Sequence, residues 1–151
     1  MAISAFVAAA IAVLPRLWLR RAQDRLAQRL LSSEGPDGFR LLTRADLVSG
    51  KHRRLPGILG LSQGALTFHG IFDERITLPT DRIQKIVTGN RLAGGPRLIR
   101  SETLRLTRAD GEELAFVLTR SAARAWRSHL GLWAVRERQE SMDVVKPGRR
   151  T

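Results

Sequence analysis

The chain has 151 residues, no cysteine and a formal charge of +12, from 26 basic and 14 acidic side chains. That length supports one small domain around a single core. The absence of cysteine excludes a disulfide framework and thiol chemistry, and the charge points to an anionic partner, either a membrane surface or nucleic acid.

Residues 1–15 read MAISAFVAAAIAVLP and carry no charged side chain. Fifteen helical residues reach about 22 Å, short of a hydrocarbon core roughly 30 Å thick. Continuing through Leu17, Trp18 and Leu19 brings the run to about 28 Å. Arg16 then lies near one end, where its stem can follow lipid while the guanidinium reaches the headgroups. Trp18 suits the interface. Arg16, Arg20, Arg21, Arg25 and Arg29 follow the apolar run, and no basic residue precedes it. A cleaved secretory signal has the opposite order. The expectation is a transmembrane anchor over residues 1–19, with the N-terminus outside and the following domain in the cytoplasm. Arg16, Trp18, Arg20, Arg21, Arg25 and Arg29 are the expected membrane-interface residues. Only Lys51, Lys85 and Lys146 are lysines among the basic residues. This arginine bias suggests a GC-rich bacterial genome, and so a bacterial inner (plasma) membrane.

Leu17 to Leu31 continue as a helix, with Trp18, Ala22, Leu26 and Leu30 on one face and the arginines with Asp24 and Gln28 on the other. Such a helix either lies on headgroups or packs on the domain behind it. Ser32 to Gly38 form a linker containing Gly35 and Pro36. Residues 20–38 are therefore read as juxtamembrane helix plus linker, and residues 39–138 as the domain.

From Phe39 the apolar period becomes two. Leu59 and Leu61 alternate with Ile58 and Gly60, Gln63-Gly64 turns the chain, and Leu66 and Phe68 return as a hairpin partner. Ile76 and Leu78 make a short strand ending at Pro79, and Ile83 to Thr88 make another. Asn90 to Pro96 is a loop. Leu104 and Leu106 lead through Ala109-Asp110-Gly111-Glu112 into Leu114, Phe116 and Leu118, a hairpin whose Asp-Gly supplies the positive φ of a tight turn. Ser121 is the expected N-cap of a helix from Ala122 to Arg138, with Ala123, Trp126, Leu130 and Trp133 facing the sheet. Residues 139–151 are polar, contain Pro147-Gly148, and read as a disordered tail.

No catalytic or metal-binding pattern emerges. His52, His69 and His129 are far apart and form no H-E-x-x-H, and Gly94-Gly95-Pro96 lacks the Lys-Ser/Thr of a phosphate loop. Asp73-Glu74 sits on a turn before Arg75, where solvation or ion pairing explains it. No cofactor is expected, and the sequence reads as non-enzymatic. Five Phe, three Trp and no Tyr leave little for stacking on bases.

The stretch Gly57-Ile58-Leu59-Gly60-Leu61-Ser62-Gln63-Gly64-Ala65-Leu66-Thr67-Phe68 resembles the G-x-L-x-L-(S/T)…L-x-F hairpin of pleckstrin-homology-like domains, with GRAM-like members nearest. Ile76-Thr77-Leu78 and Ile83-Gln84-Lys85-Ile86 resemble their I-x-L…I-x-x-I strand pair, and Trp126 lies at the place of the tryptophan on their closing helix. The resemblance spans about residues 39–133. It implies a mostly β fold, a curved seven-stranded antiparallel sheet, or partly open barrel, closed by a C-terminal α-helix. It also implies a binding or scaffold module. Lys51, His52, Arg53 and Arg54 occupy the place of the basic first loop with which lipid-binding members grip headgroups. The expected partners are anionic membrane lipid and a protein partner in a membrane assembly. A membrane-tethered nucleic-acid-binding domain is the alternative, supported by net charge alone.

Overall fold

Two turns set the register of the sheet. Gly64 and Gly111 both adopt the positive φ that a side chain opposes, at +92° and +84°. In the second turn the Asp110 carboxylate accepts from the Glu112 amide at 3.0 Å, so Asp and Gly act together as the sequence predicts. The computed structural model describes residues 2–33, 38–50, 53–92, 95, 97–130 and 134–136, and for 2–13 and 134–136 the backbone alone.

The elements run α1 (Ala2–Ser33), β1 (Leu41–Ser49), β2 (Arg53–Leu61), β3 (Ala65–Gly70), β4 (Arg75–Pro79), β5 (Ile83–Gly89), β6 (Ser101–Arg108), β7 (Glu113–Thr119), α2 (Arg120–Leu130) and β8 (Ala134–Arg136). One sheet has the order β4-β3-β2-β1-β7-β6-β5-β8. The first seven strands pair antiparallel. Seven such strands closed by one helix are the arrangement that the resemblance implies.

Strand alternation sorts the side chains. Leu59, Leu61, Leu66, Phe68, Leu104, Leu106, Phe116 and Leu118 fill the concave side. Phe68 and Phe116 meet there with ring centroids 5.5 Å apart. Trp126 from α2 closes the cavity with no exposed surface, and its indole N–H donates to Thr43 Oγ1 at 2.8 Å. That bond satisfies the one polar atom such a plug would otherwise bury.

The convex side is covered as well. Ile58 points away from Leu59, yet is 1% exposed. This is where α1 packs, against β2 and β1. Gln23 is buried and donates from Nε2 to the Gly57 carbonyl at 3.0 Å. Asp24 accepts from Arg44 Nε at 3.0 Å and also from its Nη2.

Several expectations change. The docked face of α1 comprises Leu19, Ala22, Gln23, Leu26, Ala27 and Leu30, while Trp18 is exposed. A tryptophan four residues before Ala22 shares its face on a wheel, but Ala22 is the edge of the docked arc, which centres on Leu19, Gln23 and Leu30. The second helix ends at Leu130, not Arg138, and the chain re-enters the sheet as β8, parallel to β5 through Ile86↔Ala134 and Thr88↔Arg136. The helix starts earlier than predicted, and Thr119 Oγ1 accepts from the Ala122 amide at 3.3 Å in place of a Ser121 cap. Trp133 and residues 137–151 lie outside the described residues. The expected span at residues 1–19 falls largely on residues 1–13, whose side chains are also outside the description. Among the described residues no helix is long and apolar enough to cross a membrane.

Candidate functional site

The basic stretch after β1 is placed in part. Lys51 and His52 lie outside the described residues. Arg53 and Arg54 are exposed and belong to β2 itself, opposite Ser49 and Val48. Being adjacent in a strand, they point to opposite faces of the sheet. Arg54 shares the convex face with Asp46. Burial raises the Asp46 carboxyl above its ordinary value, and the positive charge of Arg54 pulls it partly back. One of the two arginines thus lies in the field of a half-buried carboxylate on its own face, and the other faces away from it.

The six expected interface residues on α1 are all exposed, but docking divides them. Arg16 and Arg20 lie on the flank that carries Asp24 and turns toward β1. Trp18, Arg21, Arg25 and Arg29 lie on the other flank and line a groove of about 300 Å³. Its opposite wall is the β3–β4 connection, through Gly70, Ile71 and Asp73. That wall is fixed by backbone bonds: the Gly70 amide donates to the Glu74 carbonyl at 2.7 Å, and the Ile71 amide to the Pro56 carbonyl at 3.0 Å. Asp73 adopts φ +70°, which few residues other than glycine accept readily. Glu74 folds across Gly70, leaving no room there for a Cβ, and its buried Oε2 has no hydrogen-bond partner among the described residues. Among the described residues no ion pair involves Arg21, Arg25 or Arg29.

Apolar groups flank the groove. Trp18 is 59% exposed, Leu14 is exposed one turn nearer the N-terminus on the same flank, and Leu17 is exposed about 100° round the helix. On the facing wall Phe72, between Ile71 and Asp73, is 58% exposed. The sequence shows the arginines and Trp18 but not Gly70 and Ile71. Nothing local marks those residues, because they join the groove only once α1 docks on β2.

A second cavity of about 210 Å³ opens where α2 ends, between Arg40, Ser62, Thr80, Ile83, His129 and Leu130. His69 pairs across β3 and β4 with Arg75, and His129 Nδ1 lies 2.9 Å from the Ala125 carbonyl. Among the described residues no three His, Cys, Asp or Glu side chains gather to hold a metal ion.

Among solved structures, the chain is similar to the C-terminal domain of an unknown protein from Leishmania infantum, with a TM-score of 0.50 and 11% identity over 78% of this chain and 96% of that one. It also aligns with the pleckstrin homology (PH) domain of USP37, with a TM-score of 0.46 and 17% identity over 60% of this chain and 90% of that domain. At such identities the likeness concerns fold alone, and the pleckstrin-homology-like shape rests on the strand order and closing helix described above. No family model matches the chain, and the search of curated proteins returns no match.

Proposed function

We propose that this chain is a non-enzymatic binding module held at a bacterial plasma membrane. In this reading residues 1–19 anchor it with the N-terminus outside, and the pleckstrin-homology-like domain lies in the cytoplasm. There the domain docks anionic lipid and serves a protein partner in a membrane assembly. The observation that carries the reading is the outward side of α1, where exposed Leu14, Leu17 and Trp18 are followed by exposed Arg21, Arg25 and Arg29. Apolar groups followed by guanidinium along one helix side match the passage from acyl chains to phosphates. Because α1 is docked by Gln23 and Asp24, the domain is held near whatever surface the helix meets. Of Lys51, His52, Arg53 and Arg54, those that face the leaflet then act on headgroups at high effective concentration, Arg53 and Arg54 lying on opposite faces of β2, and a weak site suffices.

The test uses a chain beginning at Leu14, which keeps the docked helix and lacks the uncharged run. It should sediment with phosphatidylglycerol vesicles, less with phosphatidylcholine, and progressively less as salt rises. Replacing Lys51, Arg53 and Arg54 with Gln removes about 1 kcal/mol for each residue that faces the surface, a loss of roughly tenfold or more at low salt. Equal binding by variant and parent contradicts the assignment of this cluster. Duplex DNA or single-stranded RNA bound more tightly than the vesicles favours the nucleic-acid alternative.

A further inference from the structure

The groove between α1 and the β3–β4 turn has a feature that the first basic loop lacks: two walls. Arg21, Arg25 and Arg29 are spaced four residues apart, so their Cα atoms step along the helix by about 6 Å each. Their stems line one wall, and the Gly70–Glu74 turn forms the other. Within the groove the facing charge is Asp73, set there by a backbone of positive φ. Asp73 lines the slot and Glu74 lies behind it across Gly70, so two carboxylates face three guanidinium groups and the partly enclosed slot remains net positive. We propose that this groove is a headgroup site for one anionic glycerophospholipid, with the three arginines as phosphate ligands and Asp73 as a carboxylate on the facing wall that opposes the headgroup. The proposal rests on the membrane reading above for its proximity to lipid, but it uses different residues from the Lys51–Arg54 cluster.

Two observations select a lipid over a free anion. Trp18 lines the groove itself, and Leu14, one turn before it, extends the helix wall as exposed apolar surface. On the turn wall Phe72 stands exposed between two groove residues. Apolar side chains on both sides suit the glycerol and upper acyl carbons of a lipid and add nothing for inorganic phosphate. Guanidinium binds a phosphodiester through paired N–H donors, so glutamine in its place loses both charge and fork geometry. Asp73 works against the ligand: among the described residues it pairs with none of the three arginines, and its negative charge at the groove wall repels phosphate.

The experiment is native mass spectrometry of the full chain released from neutral detergent micelles doped with dioleoyl phosphatidylglycerol, dioleoyl phosphatidylcholine or inorganic phosphate. The parent should retain one phosphatidylglycerol and little of the other two. Arg21→Gln/Arg25→Gln/Arg29→Gln should cut that adduct by at least about tenfold, as expected when several charge-assisted bonds are lost together. Asp73→Asn, which keeps the backbone preference for positive φ, should raise it by about two- to threefold. Lys51→Gln/Arg53→Gln/Arg54→Gln should leave it in place. Undiminished retention by the α1 triple variant, or a fall with Asp73→Asn, overturns the groove. Equal retention of inorganic phosphate overturns the choice of lipid. If the adduct is lost only with the Lys51–Arg54 variant, the groove proposal fails while the membrane reading stands. If no chain retains anionic lipid, both fail.

Discussion

Trp126 carries more of the core than any other side chain, since it is fully buried and its indole N–H is satisfied by Thr43. Trp126→Ala should destabilise the protein by roughly 3–5 kcal/mol in denaturant unfolding. Trp126→Phe should cost less, because it keeps most of the ring and loses one hydrogen bond. Its role was legible in the sequence, because it falls on the apolar stripe of an amphipathic helix. Its partner Thr43 was not, since the bond joins residues 83 apart in sequence. Asp46 gives a second residue-scale test. Its folded carboxyl holds the proton more tightly than the ordinary aspartate, because burial disfavours the charged form. A raised acid contributes stability below the unfolded value of 3.8 and loses it as pH rises through the folded value. Asp46→Asn should therefore melt higher than the parent near neutral pH. The difference should vanish below about pH 3, where both side chains are neutral. A constant difference across that range would place the effect elsewhere.

At the scale of elements, the β-strands were readable because their signal is local. Alternation placed Leu59, Leu61, Leu66 and Phe68 on one face, and Gln63-Gly64 and Asp110-Gly111 fixed the turns. The helices were harder to delimit. Beyond Leu130 the pattern of Trp133 and its neighbours continues a helical period, but residues 134–136 pair with the open edge of β5. An unpaired strand edge is a non-local demand that no periodicity in the segment records. For α1 the sequence offered two placements, headgroups or domain, and the structure takes the second over residues 19–30 while leaving Trp18 free. Docking makes α1 part of the fold. A chain starting at residue 35 uncovers Ile58, whose burial contributes roughly 1.5–3 kcal/mol. It should melt about 10 °C below a chain starting at Leu14, given 4–8 °C per kcal/mol for a domain of this size. Equal melting temperatures would mean that α1 rests on the sheet without stabilising it. Gln23→Ala alone should cost about 1 kcal/mol through its lost bond to the Gly57 carbonyl.

For the molecule as a whole, the proposed orientation rests on the charge of +12 and the order of apolar run, arginines and domain, and the proposed distance from the leaflet on the docked α1. The candidate site divides along the same lines. The arginines were visible in sequence as a cluster. Their separation into two flanks, and the turn that walls one of them, came only from where α1 lies on the sheet. The claim on which the rest depends is that the chain sits in the membrane with its domain inside. Because the protein has no cysteine, single thiols introduced by Ser4→Cys and Ser141→Cys report the two ends without background. The decisive measurement is labelling of both variants on intact cells with a membrane-impermeant thiol reagent, repeated after permeabilisation. The account predicts that Ser4→Cys labels on intact cells and that Ser141→Cys labels only once the membrane is opened. Labelling of Ser141→Cys but not Ser4→Cys on intact cells, or recovery of the unlabelled chain in the soluble fraction, would contradict it.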